Sequence, residues 1–111
     1  MYVTEATAGR VSRVDINDGS KVIVSEGLSQ PEGVTVLADR RLAVVEVGAR
    51  RVVAVDPESG ATEVLASNLP IGQFVPEAPA PVHVPSGIAV GANGVLYLTS
   101  DQNHSVLKLV P

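Results

Sequence analysis

Hydrophobic residues in this chain of 111 residues fall in short runs of about three to five, without the three- and four-residue spacing of an amphipathic helix. The runs are rich in valine, and turn-forming segments such as Asn17-Asp18-Gly19 and Glu58-Ser59-Gly60 separate them. This pattern predicts an antiparallel, all-β fold. The ten predicted strands are Tyr2–Thr4, Val11–Val14, Val22–Val24, Gly33–Val36, Leu42–Val45, Val52–Val55, Glu63–Leu65, Gly87–Val90, Leu96–Thr99 and Val106–Val110.

The chain contains an internal repeat, which two alignments of the chain with itself reveal. The first alignment matches Met1–Leu28 with Leu42–Leu69 without a gap, and the second matches Pro31–Leu42 with Pro85–Leu96 and continues to the last residue. The offset is larger in the second alignment, which places an insertion between Leu69 and Pro85. A unit of about 41 residues with four short strands is typical of a β-propeller blade. Aligned pairs include Glu5 with Glu46, Arg10 with Arg51, Asp15 with Asp56, Gly19 with Gly60, Pro31 with Pro85, and Gly33 with Gly87.

The repeat predicts three four-stranded antiparallel blades, of which one is full and two are partial. Blade 1 covers about residues 1–28 and lacks its inner strand, blade 2 covers about 31–69, and blade 3 covers about 85–111 and lacks its outer strand; the insertion covers about 70–84. Partial blades leave strand edges and apolar faces without neighbours. We therefore expect oligomerisation to about six blades, as a homodimer or, in the competing stoichiometry, a trimer.

The last copy of the repeat resembles a known family. Its segments Val84–Val90, Asn93–Thr99 and Asn103–Leu109 resemble one NHL repeat, and they are similar to bacterial propellers grouped with gluconolactonase and the senescence-marker protein. The resemblance extends over nearly the whole chain except the insertion. It implies a propeller that commonly has six blades. It also implies that an acid or asparagine before the glycine of the inner-strand motif can bind a divalent metal.

Glu32 occupies that position in the motif Gln30-Pro31-Glu32-Gly33, which the propeller hypothesis places near the mouth of the central channel. Oxygen ligands from separate blades could hold Ca²⁺ or another divalent metal there. Ser86, the matching residue of the last copy, is a poor metal ligand. A solvated loop carboxylate is the competing interpretation of Glu32. Phe74 and His83 complete the candidate ligand-binding residues, and both lie in the proline-rich insertion, which is predicted to be an extended loop without strand pairing.

Composition and charge exclude several classes of function. Twelve acidic against eight basic residues give a net charge of −4, which argues against a duplex-nucleic-acid partner. The absence of cysteine excludes disulfides, thiolate nucleophiles and cysteine metal sites. The chain contains no transmembrane-length apolar run and no signal segment, so no membrane partner is expected, and its localisation stays open.

One further motif suggests a metal loop. Asp15 to Gly19 resembles the start of a calcium-binding loop, but its glycine comes one place early and strand residues fill its second half, which favours a hairpin turn. No serine elbow or Ser-His-Asp set is present, so no catalytic residue is assigned. The preferred function is a binding or scaffolding propeller module with a ligand or partner site at the channel mouth. The alternative is a metal-dependent lactonase or hydrolase of the gluconolactonase type, or a truncated fragment of such an enzyme.

Overall fold

The computed structural model describes residues 1–71, 74–75, 82–83, 87–100 and 105–110. Within these ranges the chain is all-β, as predicted, and the helical structure is one 3-10 turn at Ala92–Gly94. The described residues contain no helix with the length and hydropathy needed to cross a bilayer. The strands are β1 (Tyr2–Glu5), β2 (Arg10–Val14), β3 (Lys21–Ser25), β4 (Pro31–Val36), β5 (Leu42–Glu46), β6 (Arg51–Val55), β7 (Thr62–Ala66), β8 (Phe74–Val75), β9 (Val82–His83), β10 (Ile88–Val90), β11 (Leu96–Ser100) and β12 (Ser105–Leu109).

Ten of these strands form three antiparallel sheets. Sheet I has the order β1-β2-β3, sheet II the order β4-β5-β6-β7, and sheet III the order β10-β11-β12. Consecutive strands are neighbours throughout, because the connections are short enough for hairpins. All ten predicted strands are present, with ends that differ only slightly; β4, for example, begins at Pro31 instead of Gly33.

The insertion differs from its prediction. Its strands β8 and β9 pair antiparallel, with Phe74 opposite His83 and Val75 opposite Val82. The prediction of a loop without strand pairing is therefore wrong for these two strands. The physical reason is the placement of the prolines: they lie outside the paired residues, so their missing N–H groups do not interrupt this short ladder.

Residues that the first alignment matches have the same backbone geometry. Gly9 and Arg50 both adopt a positive φ, of 68° and 54°. The N–H of Leu28 donates to the carbonyl of Gly9 at 2.9 Å, and the N–H of Leu69 donates to the carbonyl of Arg50 at 3.0 Å. The β-bulges of sheets I and II also fall at equivalent places, after Val11 and after Val52. The internal repeat in sequence is thus a repeat in hydrogen bonding.

Sheet II lies between the other two sheets, and a hydrophobic cluster fills each of its faces. Leu42 and Val44 of β5 belong to the cluster with sheet I, whereas the alternate residues Ala43 and Val45 belong to the cluster with sheet III. A strand that is buried on both faces needs a continuous apolar run, which explains the valine-rich sequences of β5 and β6. The buried residues are Val11, Leu28, Leu42, Val44, Val53 and Val55 in the first cluster, and Ala43, Val45, Val47, Val52, Leu69, Ile71, Leu96 and Leu98 in the second.

Among the described residues, sheet III has a neighbouring sheet on one face, which packs on sheet II. Along β11 the buried residues Leu96 and Leu98 alternate with the exposed residues Tyr97 and Thr99. The strand register adds Lys108 opposite Tyr97 and Val106 opposite Thr99. We call Tyr97, Thr99, Val106 and Lys108 the outward face of sheet III. Their equivalents in the second alignment are all buried in sheet II, and these are Ala43, Val45, Val52 and Ala54.

Candidate functional site

The start of β4 is irregular because it contains one extra residue. Pro31 pairs with Glu46 and Val34 pairs with Val44, so three steps along β4 correspond to two steps along β5. The resulting bulge contains Glu32 and Gly33. A bulge turns side chains away from the regular alternation of a strand and is common next to binding sites.

Glu32 lies in this bulge and is half-buried. Its backbone carbonyl accepts a hydrogen bond of 2.5 Å from the Thr4 hydroxyl, which ties β1 to β4. No described residue donates a hydrogen bond or a positive charge to its carboxylate. Burial removes water from this carboxylate and raises its pKa. A ligand that donates a hydrogen bond or carries a positive charge would stabilise such a carboxylate.

Gln30, which precedes Pro31 in the chain, provides a second hydrogen-bond acceptor. Its side-chain oxygen is buried and has no hydrogen-bond partner among the described residues. Its backbone has a φ of 48°, and its backbone carbonyl accepts the N–H of Val47 at 3.1 Å. A buried acceptor without a donor costs about 1–3 kcal/mol, so such groups are rare in folded proteins.

Of the other predicted site residues, Ser86 lies outside the described residues. Phe74 and His83 are backbone partners in β8 and β9. Among the residues that the structure describes, no three His, Cys, Asp or Glu side chains come close enough to share a metal ion. The described part of the site therefore consists of Glu32 and Gln30, with Thr4 as the anchor of the bulge.

A buried ion pair that the sequence analysis did not predict lies at the end of β5. The carboxylate of Glu46 is fully buried, and it accepts hydrogen bonds from the Arg51 guanidinium at 2.5 Å and from the Ser29 N–H at 2.8 Å. The carboxylate raises the pKa of Arg51. Because Ser29 belongs to the connection between sheets I and II, this pair joins the two sheets.

The equivalent acid in sheet I has more partners but is less buried. Glu5 accepts hydrogen bonds from Arg10 at 2.7 Å, from Ser12 at 2.6 Å and from Lys21 at 3.0 Å. These bonds, above all the one from Arg10, lower the pKa of Glu5 to about 2. The spacing Glu-x₄-Arg in both copies is the sequence signal that could have revealed the pairs, because it places the two side chains opposite each other across a hairpin.

The turn after β2 is a hairpin turn, as predicted. Its two carboxylates accept hydrogen bonds from backbone N–H groups of the same turn. The Asp15 carboxylate accepts the N–H of Asn17 at 2.8 Å, and the Asp18 carboxylate accepts the N–H of Ser20 at 2.8 Å. The N–H of Gly19 donates to the carbonyl of Asp15, closing the turn. The equivalent turn after β6 has the same bond from Gly60 to Asp56.

A groove of about 500 Å³ lies between sheets II and III. Leu65 of β7 and Leu109 of β12 contribute apolar walls, and Leu37 closes the groove near the β4–β5 turn. Asp39, Arg41 and Lys108 supply charge to its lining. It is distinct from the Glu32 site, because Glu32 is not among its lining residues.

Comparison with protein-family models and with curated proteins gives no match to this chain.

Proposed function

We propose that sheets I, II and III are successive blades of a β-propeller and that the chain is a binding or scaffolding module. The carrying observation is the stack of repeated antiparallel sheets, in which sheet II runs in order from β4 to β7 and is covered on both faces. Two further contacts support it: β1 and β10, which belong to different sheets, both lie against β4. The strands β4 and β10 are the predicted inner strands of their blades, and inner strands of neighbouring blades approach one another around a central channel. The strand β1 is the second strand of its blade and the innermost one present in sheet I.

The proposed ligand site is the start of β4. The half-buried Glu32 carboxylate and the buried Gln30 oxygen are acceptors without donors among the described residues. The complementary ligand therefore presents hydrogen-bond donors or positive charge. A binding role is preferred because contact with a ligand is enough to satisfy both acceptors, without a chemical step.

We further propose that copies of the chain associate through the outward face of sheet III, giving about six blades in a homodimer. The support is the contrast between this face and its buried equivalent in sheet II. Val106 is 63% exposed and Tyr97 is 42% exposed, whereas Val52 and Ala43 are fully buried beneath a neighbouring sheet. A second copy would provide the missing neighbour.

Light scattering after size exclusion tests this association. The expected mass is twice the chain mass of 11.5 kDa. Val106→Glu should release monomers, because it places a charge in the proposed contact. Val36→Glu is the matched control, since Val36 is also about half exposed but lies at the end of β4. A monodisperse monomer for the unmodified chain contradicts the proposal, and a threefold mass replaces the dimer by a trimer.

A second candidate function is metal-dependent hydrolysis, which the unpartnered Glu32 carboxylate favours as a source of one ligand. Ca²⁺ is expected to raise the melting temperature, and a chelator should reverse the shift. Glu32→Gln should abolish the Ca²⁺ effect. In the absence of metal the same substitution should stabilise the chain slightly at pH 7, because the raised pKa of Glu32 costs stability as the pH rises through it. If Ca²⁺ gives no shift, the hydrolase is rejected and the binding module remains.

A further inference from the structure

The segment Ser29–Gln30, which leads from sheet I into β4, is held by three hydrogen bonds. We call it the entry segment of sheet II. The turn after β5 donates the N–H of Gly48 to the Ser29 carbonyl and the N–H of Val47 to the Gln30 carbonyl, both at 3.1 Å. The N–H of Ser29 donates to the buried Glu46 carboxylate at 2.8 Å. Three bonds thus fix two successive residues.

The turn after β5 also lies very close to the entry segment. A Cβ atom at Gly48 would overlap the Ser29 hydroxyl and would lie 3.1 Å from the Ser29 carbonyl oxygen. The hydroxyl can rotate away, but the carbonyl can move only if the backbone moves with it. The turn therefore confines the entry segment by close contact as well as by hydrogen bonds.

Sheet III makes a comparable contact with different chemistry. In the second alignment the equivalent of Glu46 is Ser100, and one further residue of the first alignment matches Ser29 with Pro70. Proline has no N–H to donate, and the Ser100 hydroxyl instead donates to the Pro70 carbonyl at 2.7 Å. In both sheets, the side chain at the end of the second strand therefore bonds the preceding connection, and its type matches the backbone group that the connection offers.

The entry segment leads directly into the ligand site proposed above. Gln30 has a φ of 48°, a conformation that residues other than glycine adopt rarely and that surrounding contacts must stabilise. Its side-chain oxygen is one acceptor of the site, and the other acceptor, Glu32, follows two residues later in the bulge. Pro31 lies between them and pairs with Glu46 itself. A displacement of the entry segment would therefore move both acceptors.

We propose that Glu46 and Arg51 are positioning residues for the ligand site at the start of β4. Arg51 neutralises and orients the Glu46 carboxylate, which binds the Ser29 N–H. The entry segment held in this way fixes where the Gln30 oxygen and the Glu32 carboxylate lie. This inference rests on the proposed function of the site, and it gives the ion pair a role in ligand binding in addition to its role in stability.

A double variant based on sheet III removes the pair without leaving an unpaired buried charge. Glu46→Ser combined with Arg51→Ser gives sheet II the residues that sheet III has at these positions, Ser100 and Ser105. The shorter serine at the end of β5 removes the carboxylate that accepts the Ser29 N–H.

The matched control is the double variant Arg41→Ser with Glu63→Ser. It also removes an arginine–glutamate pair from sheet II, with a distance of 2.8 Å between the charged groups. Arg41 precedes the start of β5, whereas Glu46 ends this strand, so the control leaves the entry segment and its three hydrogen bonds in place.

Hydrogen exchange of single amides, followed by NMR, is the first measurement. In the variant without Glu46 and Arg51, the amides of Val47 and Gly48 should exchange about tenfold faster or more, because their acceptors are no longer held in place. The amide of Val44 in the middle of β5 is the internal reference. A general loss of stability would accelerate all three amides alike, whereas the control variant should change none of them selectively.

Ligand binding is the second measurement, and methylguanidinium is the probe because it combines a positive charge with hydrogen-bond donors. NMR titration of the unmodified chain should give saturable shifts at Gln30 and Glu32, and Glu32→Gln should abolish them. The variant without Glu46 and Arg51 should bind the probe about threefold more weakly or worse, as expected when a hydrogen bond to the ligand is misaligned. The control variant should bind it like the unmodified chain.

Gly48→Ala displaces the entry segment by an independent route and retains the ion pair. Its methyl group would press on Ser29, and the probe should bind about twofold more weakly or worse because the hydrogen-bond geometry of the site shifts. This variant decides the question if the double variant does not fold.

The two measurements separate the positioning role from the proposed function. Exchange at Val47 and Gly48 that changes no more than at Val44 would overturn the positioning role, and so would unchanged probe affinity in the double variant and in Gly48→Ala. If the probe does not bind the unmodified chain, the proposed ligand class is wrong, and the exchange rates alone decide whether the ion pair holds the entry segment.

Discussion

The ion pairs Glu5–Arg10 and Glu46–Arg51 occupy equivalent places in sheets I and II but differ in their surroundings. Both join the end of one strand to the start of the next, and both include the arginine Nε. The Glu46 side chain is fully buried, whereas a quarter of the Glu5 side chain is exposed. The difference comes from the neighbouring sheet, because sheet I covers Glu46 and the connection that follows it provides the Ser29 N–H. The same two residue types thus make an internal link between sheets in one place and a surface network in the other.

The largest expected effect is the difference between the two ion pairs in how much their loss lowers the free energy of unfolding. Arg51→Ala leaves the fully buried Glu46 carboxylate without its cation, which should lower the free energy of unfolding by about 3 kcal/mol. Arg10→Ala should lower it much less, because water, Ser12 and Lys21 still reach Glu5. Urea unfolding of both variants checks this. Equal losses would mean that the covering sheet does not determine the contribution of the pair.

A smaller effect is expected from one substitution at two aligned valines. Val52→Thr introduces a hydroxyl into the cluster between sheets II and III and should cost about 1–3 kcal/mol. Val106→Thr makes the same change on the outward face of sheet III and should stay within about 0.5 kcal/mol in the dissociated chain. The midpoints of urea unfolding, measured at low protein concentration, provide the comparison. A large loss at Val106 would indicate that this face is covered even in the single chain.

The smallest effect is a pH dependence of the surface network. The pKa of Glu5 is about 2 in the folded chain against an ordinary value of 4.5, so the unfolded chain binds more protons between these values. The stabilisation from Glu5 is therefore present above about pH 4.5 and is lost as the pH falls toward 2. Glu5→Gln should be less stable than the unmodified chain at pH 6, and the difference should narrow at pH 3. Unfolding at the two pH values tests this, and a constant difference would contradict it.

The strands could be predicted from the local sequence because two separate features indicate each one, its apolar run and the turn residues beside it. Valine-rich runs identify the strands, and residues such as Gly19 and Gly60 identify the turns between them. The pairing of β8 with β9 was missed because the prolines around them dominate the local sequence.

The candidate site was predictable only in part. The motif position singled out Glu32, but the surroundings of its carboxylate depend on the bulge in β4 and on the approach of β1, which is distant in sequence. The Gln30 oxygen, which has no hydrogen-bond partner among the described residues, had no signal in the sequence, because the burial of one atom depends on how neighbouring strands pack.

The sequence by itself determined the strand order, the turns and the internal repeat, because these depend on the residue types of short segments and on their spacing. The tertiary structure determined which pairs of equivalent residues differ in their exposure to water. Val52 and Val106, or Glu46 and Glu5, differ in exposure because a neighbouring sheet covers one member of each pair and leaves the other accessible to water. Burial is a property of the whole packing arrangement, so identical local sequences can carry unequal free energies and unequal roles.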